Sequence, residues 1–238
     1  MTLRLISATR KDLSAFSTET LLGLSLRDSA HNELKQSVAY DNARGLPEVY
    51  NAALDLYQEE VLLFCHDDIA LPPTPLEPLL QKALKHFDIV GLAGNRRDQN
   101  HFAWHVRPDG LGWDYPYLRG ETLSGSTTNA IRNVRGLCHV SVAMIDGAFI
   151  AIRRNRLADK GIRFDERFLF HFYDLDLCRQ ARESELQLGV IRLDCVHTSG
   201  GQFGDPDWIK QAKLYCEKWN NPYPQEAIAC FQKSTKLQ

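Results

Sequence analysis

VLLFCHDDIALPP, residues 61–73, holds the reading that decides the fold. Val61 to Cys65 are apolar without interruption. The run is too short for an ordinary helix, and a strand with one wet face would alternate, so it predicts a strand buried on both faces. Such strands lie in the middle of a sheet covered by helices on either side. His66, Asp67 and Asp68 follow at once. Sheets of this kind bind ligands at the carboxyl ends of their strands, which puts three ionisable groups where a ligand would sit.

The flanking sequence repeats the pattern. RLISAT (4–9), QSVAY (36–40), DIVGLAG (88–94), VSVAMIDGAFIAI (140–152) and LGVIRLDCVHT (188–198) read as further strands, rich in branched residues and bounded by polar or glycine turns. LPEVYNAALDLY places Leu46, Val49, Tyr50, Ala53, Leu54 and Tyr57 on one helical face, with Pro47 in the first turn. Leu76, Leu79, Leu80, Ala83, Leu84 and Phe87 form a second stripe, and Trp208, Ala212, Tyr215 and Trp219 a third. Alternating strands and helices predict an α/β fold with a mixed, mostly parallel central sheet and helices on both faces. The 238 residues are expected to form a single domain. Within it lie a long aperiodic stretch at 96–139 and a C-terminal loop and helix at 199–238.

Composition excludes more than it assigns. A formal charge of −2 gives no basic field for nucleic acid, although Arg96-Arg97 and Arg153-Arg154 could hold a phosphate-bearing ligand. No apolar run reaches the roughly 18 residues of a membrane span, and the first residues lack a signal-peptide core, so a cytoplasmic protein is expected. The six cysteines form no CxxC pair and fall in apolar contexts, as reduced packing residues do.

Three clusters carry candidate chemistry. Asp67 or Asp68 could cap the next helix, but Thr74-Pro75-Leu76-Glu77 supplies a cap, a proline at N1 and a glutamate at N3. A solvated strand end remains the other reading; hard oxygen ligands for Mg²⁺ or Mn²⁺ are the functional one. In FDERFLFHFYDLDLCRQARESEL, Asp174 and Asp176 stand at the start of a helix expected from about 175 to 185. One aspartate suffices to cap, and residues two apart point about 200° away from each other, which leaves one for chemistry. VHTSGGQFGD (196–205) ends a strand at His197 and runs into Gly200-Gly201-Gln202-Phe203-Gly204, a turn able to approach or close over a ligand. His197 is read either as a ligand or as a satisfied structural histidine.

In their order along residues 3–200 these motifs resemble metal-dependent glycosyltransferases of the GT-A fold, within the large inverting family and nearest its short bacterial glycosyltransferase-like group. The likeness rests on the strand-end acidic motif, then DGAFIAIRR, then FDERF…YDLDLCRQA, then a strand ending in Val-His. In that family an Asp-x-Asp motif holds the metal on a sugar-nucleotide diphosphate. Here His66 stands at the first Asp and Asp68 matches the second, so the resemblance implies Asp68 and His197 as metal ligands for Mn²⁺ or Mg²⁺. The family's Glu-Asp pair provides the catalytic base; here it reads Tyr173-Asp174, so Asp174 inherits that role, with Asp176 as the helix-start acid. Ser7, Thr9, Arg10, Asp41 and Asn42 correspond to the nucleotide side. Asp67, Asp146 and Gly147 fall on the donor side, with an acceptor contact the other role the resemblance implies for Asp146-Gly147, although a bulge would also explain that pair inside an apolar strand.

The resemblance implies transfer of a sugar with inversion from a nucleotide donor, UDP-linked, to a saccharide or lipid-linked saccharide acceptor. Bacterial surface glycan synthesis, at or near the inner membrane face, is the implied setting. Residues 96–139, with Trp104, Trp113, Tyr115 and Tyr117, would then be the variable acceptor side, since flat aromatic faces suit sugar rings. A metal-dependent phosphohydrolase using His66, Asp67, Asp68 and His197, and a nucleotide-sugar binding module without turnover, are the alternatives.

Overall fold

The computed structural model describes residues 1–98, 103–198 and 203–235. The chain opens with β1 (Leu3–Ala8), α1 (Leu13–Glu19), α2 (Leu21–Ser25), β2 (Lys35–Ala39) and α3 (Leu46–Leu56). Next come β3 (Val61–Cys65), β4 (Ile69–Ala70), α4 (Glu77–Ala83), β5 (Ile89–Gly91) and β6 (Ala93–Asn95). The middle holds β7 (Leu118–Ser126), β8 (Asn129–Val134), β9 (Val140–Ser141), β10 (Met144–Ile145), β11 (Phe149–Arg153) and α5 (Arg154–Asp159). It ends with α6 (Tyr173–Glu183), β12 (Leu188–Val190), β13 (Val196–His197), α7 (Pro206–Lys218) and α8 (Gln225–Thr235).

The main sheet has the order β2-β1-β3-β11-β5-β12-β9. β1, β2, β3, β5 and β12 run the same way, and β11 and β9 are reversed. β3 is buried on both faces as its composition requires. Leu62 and Phe64 enter one core with Tyr50, Tyr173 and Trp208, whereas Val61, Leu63 and Cys65 enter the other with Phe16, Leu22 and Leu80. Removing such a side chain costs the transfer energy of its surface and leaves a cavity.

The reversed strand assembles the site. Because β11 runs against β3, with Phe149 opposite Cys65, its beginning arrives at the carboxyl end of β3. The preceding Asp146-Gly147 turn is thereby laid beside His66, whose backbone N–H donates to Ala148 O at 3.0 Å. A second sheet, ordered β10-β6-β7-β13-β4 with β8 on β7, pairs β13 antiparallel to β4 and sets His197 opposite Ile69, next to Asp68.

Several sequence expectations need correction. DIVGLAG is two strands, since β5 and β6 belong to different sheets and the chain crosses between them at Leu92. VSVAMIDGAFIAI is three, with Asp146-Gly147 in the gap before β11 and not in a bulge within a continuous strand. Residues 188–198 likewise divide into β12 and β13. Thr74 is not a helix cap: α4 starts at Glu77 after Leu76, with no side-chain cap. The stretch 96–139 is not structureless, because the β7–β8 hairpin fills its second half. α1 and α2, capped by Asp12 and Thr20, had no apolar stripe long enough to be read. Gly200, Gly201 and Gln202 of the expected glycine turn lie outside the described residues. Among the described residues no helix is long and apolar enough to cross a membrane.

Candidate active site

A pocket of about 250 Å³ opens where the start of β11, the start of α6 and the end of β13 converge. His66, Asp146, Gly147, Tyr173, Asp174 and His197 line it. Trp104, His105, Trp113, Arg135, Phe203 and Trp208 are among its other lining residues.

Asp174 is strongly changed by this setting. Burial, and then the negative charge of Asp146, push its carboxyl up to about 7. The backbone N–H of Leu175 donates to its Oδ1 at 2.9 Å, which fixes the side chain toward the pocket. A carboxylate that titrates near neutrality in a pocket is suited to accept a proton. Asp146 is itself tied down, accepting the Trp104 Nε1–H at 2.9 Å and the Ala148 N–H at 2.8 Å.

Asp176 does something else. It is fully buried and lies within hydrogen-bond reach of Lys218 Nζ (2.7 Å), Trp219 Nε1 (2.9 Å) and Gln180 Nε2 (2.7 Å), which docks the end of α7 onto α6. Neither aspartate serves as the side-chain cap: α6 begins after Phe172 in the left-handed region, φ 67°, with no side-chain cap bond. Asp176→Ala is expected to destabilise the fold by about 2 kcal/mol, because it leaves the Trp219 Nε1–H and Gln180 amide without their buried acceptor and takes one of two carboxylates from Lys218, which keeps Asp165 at 2.8 Å. Denaturant unfolding measures this, and an unchanged midpoint would remove the docking role.

The second functional group is a cluster of donors. His66, Asp68 and His197 each offer one ligand atom, all within 4.8 Å of one another. Asp68 Oδ1 and His197 Nε2 face each other at 3.5 Å, too far for a well-formed hydrogen bond, and neither has a hydrogen-bond partner among the described residues. Two buried polar atoms left open toward each other, with an imidazole beside them, fit a divalent metal. Two nitrogens and one oxygen suit Mn²⁺ and its transition-metal neighbours better than Mg²⁺, which favours oxygen. Burial pushes Asp68 up, but the His197 and His66 imidazoles outweigh it and hold the carboxyl below its ordinary value. Burial pulls His197 down, and Asp68 and Asp146 more than offset it, leaving the imidazole raised.

The remaining sequence candidates are spread along the sheet edge. Ser7 is fully buried at the end of β1, its Oγ without a hydrogen-bond partner among the described residues, and Thr9 Oγ1 accepts from Lys11 N at 3.1 Å. Arg10 and Asp41 are exposed, Asp41 at φ 47°. Asn42 is joined to Thr9 through its backbone and to Arg44 through its side chain. These five lie at the ends of β1 and β2 and do not line the pocket. Asp67 is half-buried beside the donor cluster without being one of its donors.

The family resemblance omits His66 from the metal set, because the motif has a carboxylate there, whereas the phosphohydrolase alternative includes it; the structure groups it with Asp68 and His197. Sequence reading missed Arg135, which gave no signal: it follows a polar, exposed strand, yet its guanidinium sits 5.5 Å from the Trp113 ring and 5.8 Å from that of Trp104 in the pocket wall. His105, fully buried between Trp104 and Trp113, is held down to about 4 by burial and is neutral.

No family model and no curated protein matches the chain. Among solved structures, a 1–349 fragment of S. aureus TarS superposes with a TM-score of 0.52 at 16% identity, over 98% of this chain and 71% of that one. A longer TarS structure gives 0.50 at 16% identity, over 98% of this chain and 43% of that one. The fragment with UDP-GlcNAc bound gives 0.49 at 15% identity, over 98% and 72%. The chain is an α/β protein with a mixed central sheet, and its fold is GT-A-like, as in glycosyltransferases.

Proposed function

We propose that the chain is a metal-dependent inverting glycosyltransferase that moves a sugar from a UDP-linked donor to an acceptor hydroxyl. The observation that carries this reading is that a carboxylate held near neutrality, Asp174, shares one pocket with His66 and His197, two of the three donors of the metal cluster that Asp68 completes. Asp174 takes the proton of the acceptor hydroxyl as its oxygen attacks the anomeric carbon, and the bond from that carbon to the diphosphate breaks on the opposite side. A divalent ion bound by His66, Asp68 and His197 would supply positive charge to the departing diphosphate. Asp146 and Gly147 meet the donor sugar, and Trp104 and Trp113 give the acceptor a flat apolar face. Ser7, Thr9, Arg10, Asp41 and Asn42 receive the nucleotide, with Asp67 nearest the diphosphate. The UDP assignment follows the family resemblance at Asp41. The acceptor is a saccharide or lipid-linked saccharide, and bacterial glycan synthesis at the cytoplasmic face of the inner membrane is the setting.

The donor set makes a specific prediction. Mn²⁺ should bind more tightly than Mg²⁺, and Mg²⁺ should not displace it at equal concentration. Calorimetric titration of each ion into the chelator-stripped protein measures this; equal affinities would remove the two imidazoles from the metal shell.

A further inference from the structure

Tyr173 is buried, and its hydroxyl makes two contacts at 2.8 Å, one to Gly147 O and one to His66 Nε2. A phenol carries one proton. The carbonyl can only accept, so that proton belongs to the bond with Gly147, and the second bond forms only if His66 Nε2 is the donor. A neutral His66 then carries its hydrogen on Nε2 and its lone pair on Nδ1. The ring is also held in place, stacked on Phe170 with centroids 5.6 Å apart and an interplanar angle of 26°.

We infer that Tyr173 is a positioning residue for the metal site: its hydroxyl, committed to the Gly147 carbonyl, fixes His66 as the Nε2–H tautomer and leaves Nδ1 as the donor that joins Asp68 and His197. The tautomer follows from the hydrogen bonds alone; the metal-binding step rests on the reading under Proposed function. Imidazole ligands usually donate their other N–H to a fixed acceptor, which orients the ring and makes the ligand more basic. Here the acceptor is an unusual one, a tyrosine oxygen.

Two further observations support the arrangement. The sequence departs from the Asp-x-Asp pattern at His66 and from the Glu-Asp pattern at Tyr173, and these two residues are in contact. An imidazole at 66 needs a group that accepts its second nitrogen, and a phenol at 173 meets that need only if its own proton is already committed. Gly147 leaves the space: a Cβ built there would come 2.5 Å from the Tyr173 hydroxyl oxygen, so a side chain at 147 would displace the phenol.

The test has two readouts. Long-range ¹H–¹⁵N NMR of metal-free protein should show the Nε2–H pattern for His66, and Tyr173→Phe should convert it to a tautomer mixture. Calorimetry should show the Mn²⁺ Kd of Tyr173→Phe raised about 10–100-fold over wild type, the usual effect of losing an outer-shell partner. An Nδ1–H pattern in wild type overturns the inference, even if the variant fails to fold. A Tyr173→Phe protein with altered tautomer but an Mn²⁺ Kd within about twofold of wild type overturns the metal-positioning role. Wild type with the Nε2–H pattern but no Mn²⁺ uptake upholds the Tyr173 contact and overturns the metal reading instead.

Discussion

Asp174→Asn is expected to slow sugar transfer by about 10²–10⁴-fold while donor affinity stays near that of the wild type, because the amide keeps the shape of the carboxylate and cannot take the acceptor proton. The same group sets the pH dependence. Asp174 titrates at about 7, so transfer by the wild type should climb as pH rises toward neutrality and level off above it, since only the deprotonated form accepts a proton. Asp146 contributes to that value as a neighbouring negative charge, second to burial. Asp146→Asn removes the charge, eases ionisation of Asp174, and should move the rising limb to lower pH. Rates of nucleotide release across the pH range, with donor affinity by calorimetry, separate these effects. Near-normal turnover by Asp174→Asn removes it as the base, and loss of donor binding together with activity would place it in the donor site.

The second large effect concerns the donor cluster. UDP with Mn²⁺ at about 100 times its dissociation constant should stabilise the native protein by about 2.7 kcal/mol, equivalent to about 5–10 °C in Tm for a chain of this size. Asp68→Asn should abolish most of that shift. His197→Ala should do likewise with little change in the ligand-free Tm, since Nε2 of His197 has no hydrogen-bond partner to lose among the described residues. A full shift with chelator present, or an unchanged shift in either variant, would show that UDP binds without this cluster. A His197→Ala protein of lower ligand-free Tm and normal Mn²⁺ affinity would make His197 structural.

Much of the frame was legible because the central elements carry strong local signals. Val61–Cys65 can be little other than a strand covered on both faces, and the stripe of α3 can be little other than a helix lying on that sheet. The split strands were not legible. Leu92 and the Val142–Ala143 step are apolar like their neighbours, and only the geometry of two adjoining sheets makes the chain change partners there. The β7–β8 hairpin was hidden for the opposite reason: LRGETLSGS is mostly polar although its first half is largely buried, and NAIRNV is exposed, so no apolar alternation marks them.

In the site, motif order pointed to Asp68, Asp174 and His197; Asp174 and His197 line one pocket, and Asp68 lies 3.5 Å from His197 without lining it. Asp176 was misread because residue type at a helix start does not reveal burial; its partners, Lys218 and Trp219, lie more than forty positions away. His66 and Tyr173 show the same limit. Each departs from a familiar pattern in sequence, and their mutual contact across 107 positions appears only after folding.

The most direct test of metal-dependent inverting transfer is proton NMR of a panel of UDP-sugars, each incubated with the protein and Mn²⁺ and with water as the only acceptor. The account predicts slow appearance of UDP and of the free sugar as the inverted anomer before mutarotation, suppressed by chelator and by Asp174→Asn. Release of the retained anomer, release that continues in chelator, or hydrolysis of simple phosphate esters with every UDP-sugar left intact would contradict it.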